Sequence, residues 1–304
     1  PPSTGLPQAK RDSFRFYRAF MSEEKEVSAA KAADTEEKEK KPSGPPKSTF
    51  REYFESLVIT LIMALFGMTF IVQAVTVPTG SMQNTILVGD YLLVNKFIFT
   101  PGGHDLPFLP QREIQRGDII VFKYPGNRVN PRRDSSRNPP LEAYKLNYVK
   151  RVIGLPGETV EFRDNRVYIN GELLPEHRII GDAPSREAAL DTHEFEERKP
   201  EDKWDVYYSQ DTMSLVNAGE LLPTSLYELA TMGKTMVVPP NCFFCMGDSR
   251  DDSEDSRFWG FVPRELIIGR AMFVYWSCDR EASNGSMLGC ITSPRLSRIG
   301  KLIR

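Results

Sequence analysis

The sequence predicts a mainly β protein, an antiparallel β-sheet domain with an inserted subdomain, anchored by one N-terminal transmembrane helix. Three observations carry this. Leu57 to Val77 holds 21 residues without a charge, against the roughly 20 that a helix needs to cross a bilayer core. Beyond it, short runs rich in Val, Ile, Phe and Tyr are broken by Gly, Pro and Asp, which is the pattern of strands and turns. A long polar stretch at about 175–234, acidic near Glu194 to Asp205, interrupts those runs and reads as an insertion or small subdomain.

Residues 1–50 are expected to be a cytoplasmic, disordered tail. Between 22 and 50, Glu, Lys, Ala, Ser and Pro predominate with hardly any aromatic residue, which is too polar to offset the entropy of ordering. The preceding Lys10 to Met21 mixes basic and aromatic residues and suits an anionic membrane surface or plain solvent equally. The sequence opens on Pro1, which leaves a segment upstream open. The transmembrane helix is placed at 51–77. Lys40, Lys41, Lys47 and Arg51 flank it on one side, whereas from Thr76 no Lys or Arg follows until Lys96. The positive-inside rule then puts the N-terminus in the cytoplasm and residues 78–304 outside. The strand-like runs are YLLVNKFIF, GDIIVFKYP, YVKRVIGLPG, ETVEFRDNRVYINGELL, TMVVPPNCFFCMGD and GRAMFVYWS. Asn170-Gly171 predicts a two-residue hairpin, and Gly126 to Asn147 reads as an exposed loop.

A formal net charge of −2 over 304 residues gives no basic field, so nucleic acid is not an expected partner. No metal-ligand spacing or cofactor fingerprint is present, and neither metal nor cofactor is expected. Cys242 and Cys245 read as packing residues, because an offset of three turns them to opposite faces of a strand. Cys278 and Cys290 flank a Gly/Ser/Asn loop and suit either a disulfide or free thiols. The C-terminal SPRLSRIGKLIR carries Arg295, Arg298, Lys301 and Arg304, and fits either lipid headgroup contact or the closing part of the domain.

Chemistry-bearing residues begin directly after the uncharged run, at Val77-Pro78-Thr79-Gly80-Ser81-Met82. A serine hydroxyl needs a base to act as a nucleophile. The three histidines, His104, His177 and His193, lie outside strand-like settings, two of them in the insertion, so a Ser-His-Asp set has little support. Tyr148-Val149-Lys150-Arg151-Val152-Ile153 offers another base, since strand alternation gives Lys150 apolar neighbours on its own face. A lysine is a base only when neutral, so its pKa of ~10.4 must fall toward ~7–8, a shift that burial can produce. Judged alone, Gly80-Ser81 also fits a turn, and Lys150 also fits a strand-edge lysine reaching water.

Two further segments complete an ordered set: Gly89-Asp90-Tyr91-Leu92-Leu93-Val94-Asn95-Lys96-Phe97, and Gly247-Asp248-Ser249-Arg250-Asp251-Asp252-Ser253-Glu254-Asp255-Ser256-Arg257. With these four boxes in order, residues from about 50 to 304 resemble the bacterial type I signal peptidases, or leader peptidases, which are membrane-bound serine endopeptidases with a Ser-Lys dyad. The resemblance implies removal of signal peptides from exported preproteins after an Ala-x-Ala-type site. It implies the bacterial inner (plasma) membrane, with the catalytic domain on the periplasmic or extracellular side, and exported preproteins and membrane lipid as partners. By position, Ser81 would be the nucleophile and Lys150 the general base. The Ser81 N–H and the Thr79 hydroxyl would form the oxyanion hole, and Ser253 would orient Lys150 by a hydrogen bond. Arg151 with Asp248, and Asp255 with Arg257, would be structural pairs. Val75, Val77, Met82, Ile86, Tyr91, Leu92, Val121, Tyr148 and Val149 would line shallow substrate pockets, or else belong to the ordinary core. The chain departs from the pattern in having Thr79 for a common Ser, Asn84 for a common Pro, and Ser249 and Asp252 for common Asn.

Overall fold

The computed structural model describes residues 48–99, 111–164, 166–182, 189–218, 233–279 and 287–304. The expected tail up to residue 47, His104 and parts of the expected insertion lie outside the described residues. The chain divides into two units between Met63 and Ala64. The described part of the first belongs to helix α1 (Thr49–Phe66), none of whose residues is buried.

The uncharged run 57–77 is not one helix. The α-helix ends at Phe66, one π-helical turn spans Gly67–Ile71, and β1 (Val72–Thr76) follows. The reason is the period: from Val72 the sequence alternates, which turns Val75 and Val77 inward and lets β1 form a ladder with β2 (Asp90–Asn95) from Val72↔Asn95 to Thr76↔Tyr91. Among the described residues no helix is long and apolar enough to cross a membrane.

In the second unit the remaining strands are β3 (Ile119–Lys123), β4 (Asn147–Gly154), β5 (Thr159–Arg163), β6 (Arg166–Ile169), β7 (Glu172–Leu173), β8 (Glu176–Asp182), β9 (Asp191–Glu194), β10 (Trp204–Tyr208), β11 (Thr235–Val237), β12 (Cys242–Met246), β13 (Val262–Pro263) and β14 (Ile267–Ser277). A seven-stranded sheet runs β1-β2-β14-β3-β4-β12-β13. Its pairs are all antiparallel. The run IIVFK of β3 is buried on both faces: Ile119 and Val121 pack with Met82, Leu92 and Val274, and Ile120 and Phe122 with Tyr124, Val152 and Trp259. At ~1.5–3 kcal/mol for each fully buried aliphatic or aromatic side chain, these two layers dominate the stability of the sheet.

A four-stranded sheet, β11-β5-β6-β7, follows β4. Asn170 and Gly171 both take positive φ, 53° and 83°, which joins β6 to β7 with Ile169 opposite Glu172. That is the two-residue hairpin the Asn-Gly pair predicts. The stretch expected as an insertion contributes a three-stranded sheet, β10-β8-β9, in which β8 and β10 are parallel within a fold that is otherwise mainly antiparallel, as expected. The stretch 126–147 is not only an exposed loop. It contains the short helix α2 (Pro131–Ser135), whose buried Asp134 accepts hydrogen bonds from the Tyr124 hydroxyl at 2.8 Å and the Asn127 N–H at 2.7 Å.

The inserted sheet buttresses the segment after β12. Tyr207 N–H donates to Asp248 O and Arg250 N–H to Tyr207 O, both at 2.8 Å. The buried Arg250 guanidinium pairs with Glu176, its Nη1 2.9 Å from Oε1. Removing one partner of a buried ion pair strands the other's charge in a dry interior, which costs more than the intact pair contributes. Glu176→Ala should therefore lower unfolding free energy by about 3–5 kcal/mol in urea titration, while the joint Glu176→Leu/Arg250→Met change should cost much less. A Glu176→Ala variant within about 0.5 kcal/mol of the parent, well short of that burial penalty, would show that this contact does not hold the two parts together.

Candidate active site

Ser81 sits in a tight turn just after β1. Gln83 N–H donates to Gly80 O at 2.8 Å, and Ile86 N–H to Met82 O at 2.7 Å. Ser249 N–H donates to Ser81 O at 3.2 Å, which fastens the turn to the segment after β12. The Ser81 N–H has no hydrogen-bond partner among the described residues. Thr79, two residues earlier, is exposed, and its hydroxyl also has no partner among them.

Lys150 lies in β4 opposite Ile120 of β3, with only 4 % of its surface exposed. Its Nζ is 2.5 Å from Ser81 Oγ and 5.9 Å from the centre of the Tyr148 ring. Burial, opposed in part by the charge of Asp255, pushes the Lys150 pKa down to about 8. A neutral amine is thus accessible near neutral pH, in contact with the hydroxyl it would deprotonate.

Ser253 is brought to the same cavity, but its hydroxyl donates to Asp255 Oδ2 at 2.7 Å, and the expected hydrogen bond to Lys150 is not formed. The hydroxyl proton is taken by Asp255, and Lys150 is linked to this group electrostatically, through the charge of Asp255. Asp255 pairs side-on with Arg257, Nε to Oδ1 at 2.8 Å and Nη2 to Oδ2 at 2.9 Å, and accepts from Gly247 N–H at 2.9 Å. Burial works against the Asp255 charge, but Arg257, Lys150 and the Gly247 N–H outweigh it and hold its pKa below the ordinary value. Arg151, on the opposite face of β4, grips Asp248 with Nε–Oδ1 and Nη2–Oδ2 distances of 2.7 Å. It donates in addition to Gly117 O at 2.9 Å and lies 5.1 Å from the Trp204 ring. Thr85 Oγ1 donates to the same Asp248 at 2.6 Å. Gly247 is where these parts meet: a Cβ there would fall 2.4 Å from Ser81 O and 2.2 Å from Ser253 Oγ, so only glycine allows that approach.

A cavity of about 560 Å³ holds Ser81, Lys150, Thr79 and Ser253. Of the residues expected to line substrate pockets, Val77, Met82, Tyr148 and Val149 line it, and Val75 and Tyr91 line an adjoining groove that shares Pro78, Leu146 and Asn147. Ile86, Leu92 and Val121 do not: each is fully buried in the core beneath, because their inward register on β2, β3 and the Ser81 turn leaves no surface. The sequence reading missed Arg133, Arg137 and Leu141, which form another wall. Glu254 ties Arg137 and, at 3.4 Å, Arg133 to the segment carrying Ser253. The Arg- and Pro-rich composition of 131–140 was the available signal. Asn84 takes φ of 69°, which proline cannot adopt, and its Oδ1 accepts Leu190 N–H of the inserted part at 2.8 Å. His177 is buried against Asp205 and Glu196 O in the inserted sheet and lines none of these cavities. Cys278 and Cys290 are joined by a disulfide, while Cys242 and Cys245 are free, the latter buried.

A family model described as signal peptidase, peptidase S26, matches residues 50–276. A signal peptidase I of Aquifex aeolicus is 32% identical over 282 residues, covering 83% of this chain and 98% of that one. One of Pseudomonas aeruginosa is 32% identical over 268 residues, covering 82% and 78%. A crystal structure of a signal peptidase I from Enterococcus faecalis aligns at 26% identity over 52% of this chain and 97% of the other, with a TM-score of 0.27. The match over most of the chain and the identity to these relatives place it in the signal peptidase family, peptidase S26, whose members are serine-type hydrolases that remove signal peptides.

Proposed function

We propose that this signal peptidase is a membrane-bound endopeptidase that cuts preproteins after an Ala-x-Ala-type site with a Ser81–Lys150 dyad. The observation that carries this reading is the contact between a buried, pKa-lowered lysine amine and a cavity-facing serine hydroxyl. Neutral Lys150 accepts the proton of Ser81 Oγ as the oxygen attacks the scissile carbonyl. The resulting oxyanion takes hydrogen bonds from the Ser81 N–H and the Thr79 hydroxyl, two donors with no other partner among the described residues. Lys150 then returns the proton to the leaving amine, and water, deprotonated by the same amine, frees the acyl group from Ser81. Asp255, held by Arg257 and Gly247, offsets part of the desolvation of Lys150 and keeps its pKa from falling further.

The cavity suits an extended peptide. β1 pairs with β2 alone, and β12 joins β4 only from Arg151 onward, so the outer edge of β1 and the edge of Asn147–Lys150 are open among the described residues. A substrate strand laid between them gains main-chain hydrogen bonds. Val77, Met82, Tyr148 and Val149 leave room for small apolar side chains.

The uncharged run that begins at Leu57 supplies the anchor. Leu57, Ile59, Leu61, Ile62, Met63 and Leu65 on α1 are each more than half exposed, and such an apolar surface needs lipid or a partner to cover it. The full chain should stay with the membrane pellet in alkaline carbonate; quantitative release into the supernatant would remove the anchor.

Detergent-solubilised enzyme should cleave a preprotein bearing an Ala-x-Ala site, and Ser81→Ala and Lys150→Ala should each lose about 10⁴-fold or more in kcat. Thr79→Val should lose about 10²–10³-fold, the effect of one oxyanion donor. Because the base must be neutral, kcat/KM should fall about tenfold per pH unit below a midpoint near 8. Full cleavage by either dyad variant, or a profile flat from pH 9 to 6, contradicts the dyad.

A further inference from the structure

The cavity that holds Ser81 continues in two directions. On the β1 side it shares Pro78, Leu146 and Asn147 with the groove along Val75 and Tyr91. On the other side it shares Asp251 and Asp252 with a separate cavity of about 320 Å³, bounded by Gln83 and by the ends of β8 and β10. Ser81 therefore lies between two recesses. If the acyl half of an extended substrate lies along β1, the half beyond the scissile bond leads into the second recess.

That recess has a defined chemistry. Asp182, Asp251 and Asp252 line it, and no Lys or Arg is among its described lining residues. Asp182 and Asp251 each accept a backbone N–H, from Gln210 at 3.2 Å and from Ser209 at 2.8 Å, which fixes their carboxylates in place. Asp252 has no hydrogen-bond partner among the described residues, and its Oδ2 would lie 3.2 Å from a Cβ on Gly80, the residue before the nucleophile. An independent feature points to a ligand: Ser249, 8 % exposed, lines the recess with its hydroxyl unpartnered among the described residues. An unpartnered hydroxyl on an otherwise buried residue, facing a cavity, takes its hydrogen bonds from what enters that cavity. The three carboxylates are not gathered as a metal site among the described residues.

We infer that this recess binds the first residues of the mature chain, beyond the cleaved bond, and selects a basic side chain over an acidic one. The inference rests on the Ser81 reading above. Field and hydrogen bonding act together: Asp252 and Asp182 attract an ammonium or guanidinium group, and Ser249 Oγ is free to accept from it. An acidic side chain at the same place meets like charge and finds no cationic partner.

The test uses the full chain in detergent and peptides sharing one Ala-x-Ala segment, with Lys, Gln or Glu placed in turn at each of the first four positions after the cut. At one position or more, the parent should show kcat/KM about tenfold higher for Lys than for Glu, a factor that shrinks as salt is raised. Asp252→Asn and Asp182→Asn should each narrow that ratio to about threefold or less. Asp182 lines the recess and not the cavity that holds Ser81 and Lys150, so its variant separates the recess from effects on Lys150. Cleavage by the parent with Lys and Glu peptides equal at every position overturns the subsite and leaves the dyad standing. A Lys preference unchanged in both variants also overturns it. No cleavage of any peptide by the parent would instead sink the Ser81 reading and the subsite with it.

Discussion

The structure depends on one constraint: the amine of Lys150 must stay dry while touching Ser81. β4 supplies the position, with Tyr148 and Val152 beside the lysine on the same face and Ile120 across the ladder. Holding a lysine whose pKa has dropped from 10.5 to about 8 has a thermodynamic consequence. Below pH 8 the folded chain carries a buried charge that the unfolded chain carries in water, a cost of roughly 3 kcal/mol. As pH rises from 8 through 10.5 the unfolded chain loses the same proton and the cost disappears, so this group makes folding more favourable toward alkaline pH. The fold tolerates it because the layers on both faces of β3 are closely packed and because Asp255 offsets part of the desolvation.

That offset has to be limited, and Arg257 limits it. An unpaired carboxylate near Lys150 would draw its pKa back up and leave the amine charged. With Arg257 bound side-on, Asp255 presents a partly neutralised field. Arg151 and Asp248 play a different part, since they sit on the far face of β4 and clamp the segment carrying Ser249 and Arg250 to the Ser81 turn through Thr85. The inserted sheet then braces the same segment from outside, through Tyr207 and Arg250, and the inserted part holds the stretch after Ser81 through the Asn84–Leu190 contact. The Tyr207, Arg250 and Arg151–Asp248 contacts act on the short stretch between β12 and α2's partner Glu254, where Gly247 allows the Ser81 backbone and the Ser253 side chain to approach.

Much of this was legible in the sequence where a local pattern has a single physical solution. The alternation of β4 placed Lys150 on an apolar face, and Asn170-Gly171 specified its hairpin. Both are short-range rules, and the structure keeps them. The uncharged run was read by composition alone, and composition does not distinguish the helical half, 57–71, from Val72–Thr76, which alternates and joins the sheet. The inserted strands β8 to β10 went unread because their stability comes from partners far away in sequence, such as Glu176 with Arg250, and not from strong local alternation. The same holds for Ser253, whose hydroxyl donates to Asp255, and for Ile86, Leu92 and Val121, where register and not hydrophobicity separates core from lining. The departures at Asn84, Ser249 and Asp252 acquire a common setting only in three dimensions. Asn84 binds Leu190 at the rim of the recess that Ser249 and Asp252 line.

The protonation state of Lys150 can be read without substrate. With ¹³C-labelled lysine ε-carbons, the Lys150 resonance, assigned by its loss in Lys150→Met, can be followed by NMR from pH 6 to 11. The expected midpoint is near 8, well below the ordinary lysine value of ~10.4. A Lys150 signal that titrates at the ordinary lysine value would contradict a buried, neutral base.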